Sequence, residues 1–294
     1  MSVFENLHAR IGTLAKTQLF FIGGAMKSGT TWLRLLLDAH PQIACKGEGH
    51  IANHLAPLIS QCVDRHNQKI AQKNQAVFNE MDGFPLYAPD DLAYLIGAAL
   101  LLPFANAAPG KDLRAIGEKT PDNARHFDLL HAVFPAARFL HVVRDGRDCA
   151  VSAWFHNLRT SPAWMRETHP SLPAYVATFA REWATDIERG ETFAATHPQV
   201  CRTLRYETLL DAAPAALRGT LEFLGVAAEP DVAAQCCNAA SFERLSAGRA
   251  RGEEDRGSFF RNGTNGNWRE HLDQAANRAF IDAASPWLEA LGYV

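Results

Sequence analysis

The stretch QLFFIGGAMKSGTTWLRLLLDAHPQI, residues 18–43, opens on an apolar run that stops at paired glycines, crosses a short polar loop and resumes as TTWLRLLLDA. An apolar run bounded by glycines reads as a buried strand, and leucines recurring after paired threonines read as a helix. Strand, tight loop and helix in that order make an anion site. Backbone N–H groups converge at the helix N-terminus, and small residues let the chain approach a phosphate closely. GAMKSGTT, residues 24–31, nearly satisfies the nucleotide-binding pattern GxxxxGK followed by Ser or Thr, with Gly24 and Gly29 at the required spacing. Where that pattern has its lysine this chain has Thr30, and the loop's only lysine is the earlier Lys27. A lysine moved back along the loop would neutralise a shorter phosphate chain from a different side.

Outward from this unit, a weak strand is expected at 113–117, a helix at 123–133 and the strongest strand at 137–143, followed by a helix over 145–157. A long amphipathic helix over 175–195, a strand at 200–204, helices within 206–238 and a final helix over 274–291 complete the pattern. Residues 45–112 show no clear strand and read as a mainly helical insertion. Residues 241–268 are rich in Gly, Arg and Asn without apolar periodicity, too long for an idle loop inside a compact domain. Strands separated by helices imply an α/β fold, a central parallel sheet flanked by helices on both faces. The expected organisation is one domain over 1–294 carrying the insertion.

Composition narrows the function. The 294 residues are 47% hydrophobic, and 29 Lys plus Arg against 32 Asp plus Glu leave a net charge of −3. A chain this long buries about three quarters of its unfolded surface and needs no disulfides. The slightly acidic balance gives no general attraction for nucleic acid or an anionic membrane, so an anionic ligand must be held by local clusters. Residues 244–269 supply one, with six Arg against three acids. The apolar stretch 92–108 is broken by Pro103 and Asn106, short of the about 20 residues a bilayer span wants, and reads as a buried helix. Cys45, Cys62, Cys149, Cys201, Cys236 and Cys237 form no CxxC pair or tight framework, which suits free thiols and a cytoplasmic location.

MKSGTTWLRLLLDAHPQI resembles the 5′-phosphosulfate loop of sulfotransferases that use 3′-phosphoadenosine 5′-phosphosulfate (PAPS), whose pattern is similar to PKSGTTW followed by a helix and a His-Pro turn. The match includes Lys27, which the nucleotide triphosphatase pattern leaves unexplained. The resemblance implies that Lys27 contacts the oxygen bridging phosphate and sulfuryl group. Ser28, Gly29, Thr30 and Thr31 would hold the 5′-phosphate, and Trp32 would lie near the adenine. FLHVVRDGRDCAVS, residues 139–152, resembles the element that places an Arg and a Ser on the 3′-phosphate, here Arg144 and Ser152. An Arg at a strand's C-terminal edge presents a rigid fork to phosphate. Arg147 and Asp148 read as structural.

CRTLRYETLL and ASFERLS resemble the family's adenine-contacting Tyr and Phe elements, which would be Tyr206 and Phe242. FFRNGTNGNWREHL, residues 259–272, resembles the RKGxxGDWK loop over the 3′-phosphate, with Arg261, Asn262 and Gly263 in its first positions. Asn262 replaces the usual Lys, Asn267 the usual Asp and Arg269 the following Lys. Losing a charge at Asn262 weakens the clamp unless Arg261 and Arg269 compensate. The family fold is P-loop NTPase-like, PAPS is its sulfuryl donor, adenosine 3′,5′-bisphosphate (PAP) its product, and no metal is required.

Sulfuryl transfer needs positioning, an activated hydroxyl and charge stabilisation on the departing phosphate. ACKGEGH, residues 44–50, resembles the region where tyrosylprotein and heparan-type enzymes carry a catalytic Glu, which makes Glu48 the expected base and His50 the alternative. GEKTP, residues 117–121, resembles the element that brings a second cation to the sulfuryl oxygens, here Lys119, with Glu118 as its orienter. His50 and His54 lie four apart but have no obvious third ligand, so no metal site is expected. His141 reads as a core histidine, and His126 and His131 as solvent-facing. Residues 51–112 and 156–172, with Trp154, Phe155, Trp164 and Met165, are the expected acceptor walls. They suit a small-molecule alcohol or phenol without excluding a glycan, lipid or peptide hydroxyl. A homodimer is compatible with this reading. The rivals are a Mg²⁺-dependent P-loop kinase or NTPase, against which the missing lysine after Gly29 counts, and an inactive nucleotide-binding module.

Overall fold

In a computed structural model of the protein, residues 2–78, 81–107, 112–169 and 171–294 are described. Residues 79–80, 108–111 and 170, within the expected insertion and acceptor segments, lie outside the described residues.

Strands β1 (Gln18–Gly24), β2 (Ile43–Gly47), β3 (Ala115–Lys119), β4 (Arg138–Val143) and β5 (Cys201–Arg205) form one parallel sheet in the order β2-β3-β1-β4-β5. The β1 side chains alternate between two covered faces, as the pleat demands. Phe20 and Ile22 enter a core with Leu33, Leu36, Leu140 and Leu221, while Leu19 and Phe21 enter another with Phe127, Phe139 and Phe193. Burial on both faces explains why β1 reads as an unbroken apolar run. The helices Thr30–Asp38, Ala213–Leu224 and Pro230–Ala239 cover the first face. The long helix Leu172–Thr196 lies across the second and packs Trp183 on Phe280 of the closing helix Gln274–Ala290.

The insertion starts later than expected. Ile43–Gly47 is the edge strand β2, and π-helical Ile51–Leu55 leads from it into the helix Ala56–Lys73. A five-residue edge strand ending in Lys and Gly carries too little apolar signal to be read from sequence. The expected helix at 123–133 divides into a 3₁₀ turn, Pro121–His126, and the helix Phe127–Val133. Thr120 ends the extended run, and Pro121 restricts how the turn begins. His126 and His131 are half-buried rather than solvent-facing. His131 packs its ring on Phe139, Phe193 and His197. His141 is a core histidine, its Nδ1 2.8 Å from Glu191 Oε1.

In parallel open sheets, ligands bind beyond the carboxyl ends of the strands, where neighbouring connections diverge. Here β1 lies between β3 and β4, and the ends of β1 to β4 deliver Lys27, Glu48, Lys119 and Arg144 to one edge.

Candidate active site

Gly29 caps the helix Thr30–Asp38 with φ 102°, and no side chain caps its first turn. The first-turn amides stay available to an anion. Glycine is required at this position twice over, because φ lies in the left-handed region and a Cβ would overlap the Tyr206 ring. Lys27 also adopts a left-handed conformation, φ 69°, at the crest of the loop. Its ammonium lies 4.3 Å from the Phe259 ring centroid. Burial, then the neighbouring charges of Arg144, Arg159 and Lys119, pull its pKa down to about 8.

Arg144 extends from the end of β4 across the Tyr206 ring, 4.2 Å from its centroid, and donates to the carbonyls of Lys27 at 3.2 Å and Thr264 at 2.9 Å. It thus joins the phosphate loop to the Arg-rich loop. Asp148, read as structural, docks that second loop by accepting from the N–H groups of Gly266 at 2.6 Å and Trp268 at 2.9 Å. Arg147 pairs with Asp145 at 2.8 Å and donates to the Tyr293 carbonyl, which makes it structural too. Glu207, unremarked in the sequence, accepts from the Asp145 N–H at 3.0 Å and from the Tyr293 hydroxyl at 3.0 Å. Gly263, φ 74°, passes so close to Phe242 that a Cβ would overlap the ring.

On the other side, Lys119 at the end of β3 is buried, 3% exposed. Its ammonium donates to Thr31 Oγ1 at 3.0 Å and to Glu48 Oε1. His50 Nε2 lies 3.6 Å from Glu48 Oε2, and its Nδ1 meets Asn53 Nδ2 at 3.2 Å. Glu118 does not serve as the orienter of Lys119. Adjacent strand residues face opposite ways, and Glu118 instead accepts from the Gly49 N–H at 2.8 Å, Thr120 Oγ1 at 2.6 Å and Asn123 Nδ2 at 2.7 Å. It pins the backbone between Glu48 and His50.

Several of these groups border one cavity of about 310 Å³. Lys27, Gly29, Thr30, Thr31, Trp32, Glu48, His50, Arg144, Ser152, Tyr206, Phe242, Arg261, Asn262 and Gly263 all line it. Of the expected site residues, Ser28 and Lys119 sit just behind the wall. Arg251, whose guanidinium lies 5.7 Å from the Trp32 ring centroid, and Asp122 also line it and carry no sequence pattern that would reveal them. His156, from the expected acceptor segment, and Phe259, the first residue of the matched FFRNG loop, line it as well. The expected acceptor walls are largely elsewhere. Among the described residues, none from 51 to 107 borders the cavity, and of 156–172 only His156 does. Met165 is in the core beside Trp154 and Phe155, because packing against the helix Leu172–Thr196 decides which face of the preceding helices turns inward. Trp164 is exposed.

The cavity fits an anion bearing several phosphate-type groups. Ser28 Oγ, Arg144 Nε and Arg261 Nε are buried without a hydrogen-bond partner, a cost that a bound oxyanion would offset. Asn262 is turned inward by its own loop, accepting from the Thr264 hydroxyl. Arg261 is held by Glu254 and by Asn267 Oδ1, the latter at 2.7 Å. No group of three or more His, Cys, Asp or Glu among the described residues is arranged to hold a metal ion.

Strand order, phosphate loop and converging cations define an α/β protein of the P-loop-like class with an anion-binding site. A model of the sulfotransferase family matches residues 20–230, and the chain belongs to that family. Human protein-tyrosine sulfotransferase 1 is 31% identical over 129 residues, 44% of this chain and 32% of that protein. The zebrafish (Danio rerio) protein-tyrosine sulfotransferase 1 is 26% identical over 208 residues, 71% of this chain and 53% of its own length. The matches therefore span about a third to a half of these relatives. Mouse sulfotransferase SULT7A1 complexed with PAP superposes with a TM-score of 0.58 at 17% identity, covering 96% of this chain and 88% of that one. Sulfotransferase STF9 from Mycobacterium avium gives 0.57 at 12% identity, covering 98% and 80%. Both share the fold.

Proposed function

We propose that the protein transfers the sulfuryl group of PAPS to an acceptor hydroxyl, leaving PAP. The observation that carries this reading is the buried Lys119 ammonium, shared between Thr31 of the phosphate loop and the Glu48 carboxylate. One cation thereby ties the anion cradle to Glu48, the only carboxylate it touches among the described residues. The donor supplies a sulfur bonded to a phosphate leaving group. The acceptor oxygen forms a bond to sulfur as the sulfur–oxygen bond to phosphate breaks, and Glu48 takes the hydroxyl proton. Lys27 and the loop amides stabilise the charge that returns to the phosphate, and Lys119 the sulfuryl oxygens. Arg144, Ser152, Arg261 and the Gly263 N–H would hold the 3′-phosphate, while Trp32, Phe242 and Tyr206 offer aromatic surface at the base end. Glu48 is assigned the base ahead of His50 because it is the group in contact with Lys119, and His50 lies against its other oxygen.

The acceptor we propose is a phenol or alcohol placed against Met26, His50, Asp122, His156 and Phe259, a mixed apolar and polar part of the cavity lining. The names of the curated relatives point to a phenol carried on a protein, and a small-molecule phenol presents the same O–H. We read residues 1–294 as one catalytic domain. Six free cysteines, most of them buried, support a reducing, cytosolic compartment. The test is a thermal-shift titration with PAP and with ATP, each with and without Mg²⁺. It is followed by radiolabelled transfer from PAPS to 2-naphthol and to a tyrosine-containing peptide. Stabilisation by PAP without Mg²⁺ is expected; stabilisation by ATP but not PAP overturns the reading in favour of a kinase or NTPase.

A further inference from the structure

The helix Gly146–Thr160 carries Ser152 to the cavity, and His156, one turn farther along, lines the same wall. Its ring stands edge-on to Phe259, centroids 5.9 Å apart, and that same Phe259 ring carries the Lys27 ammonium. His156 and Lys27 therefore flank one aromatic ring at the reacting end of the site. Arg159 Nη2 lies 3.1 Å from His156 Nδ1. A guanidinium has donors only, so Nδ1 is the acceptor, and a neutral imidazole with its lone pair on Nδ1 carries its proton on Nε2. Charging the ring would set N–H against N–H. Partial burial and the charges of Lys27 and Arg159 agree, holding the imidazolium pKa down to about 4 against the opposing pull of Glu48. The ring thus stays neutral near pH 7 and presents an N–H, with no hydrogen bond to Nε2 from the described residues. With Nδ1 occupied, the ring is a donor rather than a base.

We infer that His156 is a further catalytic residue, whose Nε2–H donates to the sulfuryl oxygens beside Lys27. The inference rests on the proposed reading of the cavity as a PAPS site. A neutral donor suits this position. Lys27, Lys119, Arg144 and Arg159 already concentrate positive charge there, and a further cation would depress Lys27 more, whereas an imidazole N–H adds directionality without charge. PAP lacks the sulfuryl group, so this contact separates donor from product.

Isothermal titration of PAPS and of PAP into wild type, His156→Phe, His156→Ala and His156→Gln tests it. His156→Phe and His156→Ala are expected to weaken PAPS by about tenfold while leaving PAP within about twofold, and His156→Gln, which keeps an N–H, to recover most of the loss. Retained PAP binding shows that each variant is folded, and His156→Ala repeats the test should the larger ring disturb the helix. Equal weakening of both nucleotides would put the ring on a phosphate, and unchanged PAPS binding would leave it without a ligand; either overturns the inference. A wild type that binds neither nucleotide overturns the PAPS reading itself, and the inference with it.

Discussion

Lys119 and Glu48 meet across the C-terminal edge of the sheet because β2 and β3 run parallel with Gly47 opposite Lys119, which brings the next residue, Glu48, over the Lys119 side chain. The lysine is buried, the carboxylate partly open to the cavity. A buried ammonium needs a partner, and this one has two, Glu48 and Thr31. The pair does two things at once: it fixes the carboxylate where an acceptor hydroxyl can reach it and holds a cation next to the phosphate loop.

Replacing Glu48 by Gln keeps the shape and removes the carboxylate proposed as the proton acceptor. Turnover with 2-naphthol or the tyrosine peptide is expected to fall about a hundredfold or more, while PAP raises the Tm as in wild type. Full turnover in this variant moves the base to His50, and His50→Ala then becomes the deciding measurement.

Lys119→Met keeps the apolar stem of the side chain and deletes its charge. If the charge serves the sulfuryl oxygens as proposed, kcat is expected to drop about a hundred- to a thousandfold. KM for PAPS should change far less. An effect confined to KM would make Lys119 a ground-state binding group only.

Much of this site was legible because its parts are contiguous in sequence. The loop from Lys27 to Trp32, Arg144 with Ser152 on the following helix, and Arg261 to Gly263 are each short segments whose spacing carries the geometry. What was not legible depends on tertiary contact. Strand β2 is short and at the edge, so only its pairing with β3 defines it. Its place beside Lys119 in sequence makes Glu118 the expected orienter of that lysine, but strand alternation sends it to the Gly49 N–H instead. Trp154 and Met165 are expected at the acceptor walls, yet the helix Leu172–Thr196 draws Met165 into the core with Trp154 packed against it. Arg251 and His156 reach the cavity as single residues, and a single residue has no spacing to read.

Asp148 supports the Arg-rich loop from below, accepting from Gly266 and Trp268 while lying 3.9 Å from Arg144. Both of those bonds are charge-assisted and part-buried, and the Asp148 side chain itself is buried. Asp148→Ala is expected to lower stability by about 2–3 kcal/mol in urea unfolding, with an additional loss of PAP affinity as the loop loosens. A stable variant with normal PAP binding would show that the loop is held by other contacts.

Lys27 gives a prediction in which function and stability oppose each other. Its ammonium is buried among Arg144, Arg159 and Lys119, and its pKa in the folded protein is about 8 against an ordinary 10.5. Between those two values the unfolded chain holds a proton that the folded chain has released. Stability therefore rises with pH across that window, and below about pH 8 the penalty of the buried charge is present in full. Lys27→Met removes the charge. The variant is expected to have a higher Tm than wild type at pH 7, the difference shrinking as the pH climbs through 8 toward 10. It should also lose turnover and most of its PAPS affinity. In wild type, a bound anion compensates the ammonium and raises its pKa, so PAP should stabilise more strongly at pH 7 than at pH 9.5, about where Lys27 of the free protein is already neutral. A Tm difference between wild type and Lys27→Met that stays constant with pH would show that the lysine is not held in a destabilised, charged state awaiting its ligand.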